Sequence, residues 1–157
     1  MVAIKTIRLV HLLSYVLVTS QVLFYLFILS DSLKLVSLGN FFELRKIIDS
    51  MMAGRFKFMY YSCLSLSIFL VVITAREPFS AFFISSLAAL LFLSVDLFIT
   101  VKGSLPLNAL SHSYPLGSDN TDWESVRSQW LSLMKYRGMA IIVGMVALLW
   151  GLVFGRN

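Results

Sequence analysis

Four stretches of this chain, residues 7–29, 56–75, 79–101 and 138–154, are predominantly apolar over roughly the length that an α-helix needs to cross a bilayer. Inside hydrocarbon every backbone N–H and C=O must find a partner within the protein, so a spanning segment is either a helix or a strand of a closed barrel. Barrel strands alternate polar and apolar residues, and these runs do not. The predicted fold is therefore all-α: a four-helix transmembrane bundle, one integral membrane domain over residues 1–157, with an amphipathic helix in each of its two long connectors on one face. A mean hydropathy of +0.86, with 59% hydrophobic and only 13% charged residues, excludes an ordinary soluble domain.

The formal net charge of +5 points to anionic lipid headgroups and away from nucleic acid, because no soluble basic domain is present to carry such a face. The single Cys63 lies within an apolar run and excludes an intramolecular disulfide, a Cys-x-x-Cys pair and a cysteine-built metal site. Residues 7–29 are too long for a signal-peptide core and lack a following small-residue cleavage pattern, so they are expected to remain as the first span. Nine of the 13 Lys and Arg residues fall in the two long connectors or, for Lys57, just inside the span that follows, which predicts a multi-pass protein with those connectors in the cytoplasm and both termini outside.

Along the first span His11, Ser14, Val18, Gln21 and Tyr25 share one face, a polar seam expected to turn toward the bundle interior. After a connector over residues 30–40, Asn40 and Glu43 suggest a helix cap. The amphipathic helix 41–54 should then present Phe41, Leu44, Ile48 and Met51 on one side, with Glu43, Arg45, Lys46 and Asp49 between them. Gly54 is a candidate bend into the second span, and Arg76 to Pro78 form a turn before the third.

The second long connector, residues 106–138, carries most of the candidate chemistry. Thr121 and Glu124 have capping-box spacing, so a helix is expected over 122–137; no proline separates it from the last span, so the two read as one helix of about 33 residues that either protrudes beyond the bilayer or bends at Gly138. On it Trp123, Arg127, Trp130, Met134 and Arg137 fall at alternating steps of four and three, which places them on one face. Two placements suit such a stripe. At the lipid–water boundary, indoles anchor and guanidinium groups reach phosphates; facing inward, the same planes would stack on and hydrogen-bond to a flat, electron-rich ligand.

Asp96 lies inside the third span, where an ionised carboxylate must be paired, solvated or protonated. It suits a structural ion pair with Arg127 or Arg137, or a general base. Thr100 is one turn on and within reach of it. Asn108 suits a loop cap or a ligand contact, and of the adjacent Tyr60 and Tyr61 one must face the bundle. Neither His11 nor His112 has a second ligand at metal-binding spacing, so no metal, haem or other cofactor is expected. Phosphate-binding glycine loops, nucleophile elbows and His-Glu-x-x-His helices are absent from the sequence.

The order of four spans, with Pro106-Leu107-Asn108 after the third and then Trp123, Arg127, Trp130 and Arg137 before the fourth, resembles the anthrone-oxygenase-like family of membrane proteins. That resemblance implies oxidation of a polyphenolic anthrone to an anthraquinone without a metal or flavin. Asp96 departs from the more neutral polar residue that the resemblance implies there. From the residues themselves, Asp96, or a Tyr, is the candidate base and Arg127 and Arg137 the oxyanion-stabilising catalytic candidates, while Gln21, Tyr25, Tyr60, Asn108, Trp123 and Trp130 line a pocket for a hydrophobic aromatic or quinone-like molecule. The reading from a different class is a non-catalytic membrane protein whose Arg/Trp stripe binds lipid headgroups or a partner subunit. The expected partners are membrane lipid, a hydrophobic small molecule, and a second copy or another membrane protein.

Overall fold

The computed structural model describes residues 2–115 and 121–155. It is 92% helical and contains no strand among the described residues. Helices α1 (Val2–Phe24) and α2 (Ser30–Leu35) are joined by a π-helical turn over Tyr25–Leu29, so the first span continues to Leu35 instead of ending near residue 29. Helix α3 runs unbroken from Leu38 to Thr74; α4 is Ala81–Ile99; a second π turn, Thr100–Ser104, leads into α5 (Leu105–His112); and α6 runs from Thr121 to Phe154. Four helical segments, Ile4–Leu35, Ala53–Thr74, Ala81–His112 and Asp122–Phe154, are long and apolar enough to cross a membrane.

Both amphipathic connector segments are therefore continuous with the spans that follow them. With 37 residues in α3 and 34 in α6, these helices are roughly 50–55 Å long at 1.5 Å per residue, against about 30 Å of hydrocarbon. Each must project from the bilayer on the connector side. The last connector helix and span are the single long helix that the lack of an intervening proline allows, and neither α3 nor α6 is interrupted at its candidate bend. Gly54 sits in open space within α3, and Gly138 is a point of close approach, where a Cβ would meet Val22 at 2.8 Å and the end of Leu26. The start of α3 is also displaced from the expected cap: Ser37, not Asn40, is the N-cap, its hydroxyl accepting from the Asn40 N–H at 3.5 Å. The cap predicted at Thr121 involves a side chain outside the described residues; Glu124 is instead bound by Arg127.

Pro106 explains the second π turn. It has no N–H for the carbonyl of Lys102 one turn back, and its ring crowds that carbonyl; the chain takes up the conflict as a widened turn over Thr100–Ser104 and resumes as α5 with proline in its first turn. No proline or glycine accompanies the first π turn. Its consequence is a shift of register that leaves Tyr25, Ser30 and Leu33 all buried.

The spans close on a core of Tyr15, Val18, Cys63, Leu70, Ala89, Leu93 and Ile141. Helices α4 and α6 pack most intimately, because small residues, Ser85, Ser86 and Ala89 on one and Gly144 and Gly151 on the other, let the backbones approach. A second core under the connectors joins Phe41, Phe42, Tyr114, Trp130 and Leu131.

Candidate functional site

The polar residues of the connector-side half form two adjoining layers inside the bundle. In the deeper layer Asp96, at the last turn of α4, is 0% exposed. Its Oδ1 accepts from Arg137 Nε of α6 at 2.7 Å. Arg137 also donates from Nη2 to the Tyr60 hydroxyl at 3.1 Å and from Nη1 toward the Met134 sulfur at 3.9 Å. One guanidinium thus ties three helices together. Thr100 does not reach the carboxylate as expected; its hydroxyl donates to the Asp96 backbone carbonyl at 2.8 Å, which satisfies the backbone at the π turn.

The outer layer is built on Asn108, which α5 brings over the bundle. Its Oδ1 accepts from Arg45 Nη2 and from the Trp130 indole N–H, both at 2.9 Å, and its Nδ2 donates to Asp49 Oδ1 at 3.4 Å. Two donors on one oxygen and an acceptor at the nitrogen fix the amide's orientation. Arg45 completes the ring by donating to Asp49 Oδ1 at 2.7 Å, with its guanidinium 4.2 Å above the Trp130 indole. Burial pushes the Arg45 guanidinium below its ordinary range, and the charge and hydrogen bond of Asp49 oppose that shift. Tyr25 and Phe41 meet the Trp130 ring edge-on at 5.5 and 5.8 Å, and His112 Nε2 lies 3.5 Å from Asp49 Oδ2.

Arg45 and Asp49 correct the expectation for the first connector helix. Its inward side is Phe41, Phe42, Arg45, Ile48 and Asp49, whereas Leu44 and Met51 point outward at 41% and 64% exposure. The pattern that could have revealed this is Phe42-x-x-Arg45-x-x-x-Asp49, which shares one helical face with a buried aromatic. The inward face is mixed: Phe41 and Phe42 are buried in the aromatic core, and Arg45 is buried and Asp49 half-buried beside them because Asn108 and each other supply their hydrogen bonds.

The Trp/Arg stripe of α6 faces the bundle but does not converge on one point. At its start Trp123 packs edge-on against Phe42 and Tyr114. Arg127 lies apart from Asp96: it donates to the Val36 carbonyl at 2.6 Å and grips Glu124 through 2.6 and 2.8 Å contacts, securing the break between α2 and α3. Trp130 belongs to the outer layer and Arg137 to the deeper one. Of the tyrosine pair, Tyr60 faces inward and Tyr61 is 62% exposed. Gln21 is half-buried on the α1 seam, while His11, at the far end, shares a 2.7 Å hydrogen bond with Ser67. Among the described residues no group of three or more His, Cys, Asp or Glu side chains could hold a metal ion.

Several buried polar atoms in this half have no protein partner: Gln21 Nε2, the Tyr25 hydroxyl, Arg45 Nε, Asp96 Oδ2 and Ser104 Oγ. Such groups are few in native interiors and mark places where water or a bound molecule completes the hydrogen bonding. A cavity of about 290 Å³ lies at the rim of this half between α2 and α6, lined by Lys34, Arg127, Ser128, Ser132 and Lys135 together with Glu124. Comparison with family models, curated proteins and solved structures found no match to this chain.

Proposed function

We propose that the connector-side half of the bundle binds a flat, oxygen-bearing hydrophobic molecule of the phenol or quinone class. The observation that carries this reading is the set of orphaned polar atoms, with Gln21 Nε2 and Arg45 Nε as donors, Asp96 Oδ2 as an acceptor and the Tyr25 hydroxyl as either, contributed by the first span, α4 and the α3 extension. A quinone or phenol oxygen accepts from the first two, a phenolic O–H donates to the carboxylate, and Tyr25, Tyr60 and Trp130 supply apolar faces. A membrane-soluble ligand reaches such a site from the bilayer.

The anthrone-oxygenase-like resemblance would add a reaction at this site. An anthrone methylene and O₂ yield an anthraquinone carbonyl and water, so both oxygen atoms are accounted for without a metal. Asp96 Oδ2 would remove the methylene proton and Arg45 or Arg137 would hold the oxyanion that forms. Arg127, engaged by Glu124 and Val36, is left out of this assignment.

The test is titration of the purified protein with menadione, read by quenching of tryptophan fluorescence, alongside native mass spectrometry and aerobic incubation with 1,8-dihydroxyanthrone. Saturable quenching at one equivalent, lost in Arg45→Met and weakened in Tyr25→Leu, is the expected outcome. Unsaturable quenching that is the same in both variants overturns the binding site; saturable binding with no anthraquinone formed above the rate without protein removes the reaction alone. A non-catalytic second reading is favoured by the rim cavity, whose Lys34 and Lys135 suit a lipid headgroup, with Arg127 neutralised there by Glu124. It predicts phospholipid adducts that Lys135→Gln reduces and menadione does not displace.

A further inference from the structure

The opposite end of the bundle, where α1 begins and α6 ends, carries a cavity of about 300 Å³ that the reading above does not use. This volume is at the lower end of the range of about 300–1,000 Å³ typical of small-ligand sites. Its α1 wall grades from exposed Lys5 through half-buried Arg8 to His11, which is 1% exposed and already satisfied by Ser67. The other walls are apolar, from Leu70 and Phe82 and, on the α6 side, from Leu148 and Leu152, with Gly151 and Gly155 beside them carrying no side chain. The cavity is thus cationic at its outer end and apolar along its length.

Two further observations concern Arg8. Its guanidinium carbon sits 3.6 Å above the Phe82 ring, which holds the group flat at the cavity wall. Its Nε is buried without a hydrogen-bond partner. Glu77, on the turn before α4, is within electrostatic reach but forms no ion pair with Arg8 among the described residues. Lys5 and Arg8 therefore outweigh the nearby acid by one charge. A guanidinium fork beside an ammonium matches the geometry and charge of a phosphate, and the span end places both at headgroup depth, where long basic side chains reach the interface.

We infer that this cavity is a site for one anionic phospholipid, with its phosphate on Lys5 and Arg8 and the upper part of one acyl chain lying against Leu148 and the glycines of α6. The cations set the preference for an anionic head, and the apolar walls require an attached chain. Inorganic phosphate alone meets only the first condition.

Native mass spectrometry of the delipidated full-length protein tests this, with phosphatidylglycerol, phosphatidylcholine and inorganic phosphate as separate probes. One phosphatidylglycerol should remain bound under activation that strips phosphatidylcholine. Lys5→Gln and Arg8→Gln should each weaken it about fivefold, and the pair about 30-fold, at roughly one interfacial charge contact each. Arg8→Lys keeps the charge but loses the fork and the seat on Phe82, so its affinity should fall between those of the unmodified protein and Arg8→Gln, and Leu152→Trp, which intrudes on the cavity from an exposed position, should remove the adduct with both cations intact. Because Lys5 is exposed, Lys5→Gln keeps the test decisive should Arg8→Gln fail to fold. Equal binding of the two lipids, an unchanged adduct in Lys5→Gln, or full competition by inorganic phosphate each overturns the site. Tyr25→Leu, at the other end, should leave the adduct unchanged, so failure here and failure of the connector-side site are separately visible.

Discussion

The most informative perturbation of this protein is removal of Arg137 from the deeper polar layer. Asp96 is 0% exposed and has one described donor to its carboxylate, Arg137 Nε at 2.7 Å, while its second oxygen is unpartnered. Arg137→Met keeps much of the side chain's apolar volume but strands the carboxylate and releases the Tyr60 hydroxyl from its 3.1 Å contact. Breaking a buried pair by deleting one partner costs about 3–5 kcal/mol, well above the sum expected for an exposed bridge. Asp96→Asn in the same protein removes the stranded charge, and coupling of about 2–3 kcal/mol between the two positions should appear as partial recovery. Arg127→Met is the control: its partners are Glu124 and the Val36 carbonyl, so it should cost about 1–3 kcal/mol and gain nothing from Asp96→Asn. Reversible unfolding in mixed detergent micelles, followed by circular dichroism, gives the six stabilities: the unmodified protein, the three single variants and the two doubles with Asp96→Asn. Losses for Arg137→Met and Asp96→Asn that add within about 0.5 kcal/mol would refute the assignment, as would rescue of Arg127→Met by the same substitution.

Two further expectations follow from packing and hydrogen bonding. Gly54→Ala, where a Cβ meets nothing within 4 Å in the interior of α3, should raise stability by about 0.5–1 kcal/mol, whereas Gly144→Ala should lower it by about 1–3 kcal/mol; at Gly144 the new methyl meets the Tyr15 hydroxyl and, at 3.2 Å, Phe92, so Tyr15→Phe should restore part of the loss in a melting series. Trp130→Phe removes the indole donor to Asn108 and should cost about 1 kcal/mol or more, measurable by the same unfolding assay; an unchanged stability would detach Trp130 from the outer layer.

The sequence by itself determined the class of solution: four apolar runs in a chain with 13% charged residues leave helices in a membrane as the arrangement that satisfies the backbone. It also determined that the α1 seam turns inward, because His11, Val18 and Tyr25 lie one helical face apart and polar groups avoid lipid. The inward stripe of α6 was legible as a stripe, since its spacing is a local property, but its direction was not. Which cation meets Asp96 depended on the relative height of α4 and α6, and that is set by small-residue contacts such as Gly144 and Gly151 that no local pattern reports. The roles of Arg45 and Asp49 were hidden for a different reason. A segment read alone does not show which of its charged residues will find buried partners; here Asn108 and Trp130 arrive from α5 and α6 beside Phe41 and Phe42 and draw Arg45 and Asp49 inward with them. The π turns belong to the same category. Pro106 marks one of them locally, whereas the turn at Tyr25–Leu29 leaves no breaker in the sequence and takes its place where the tertiary packing draws Tyr25 against Trp130.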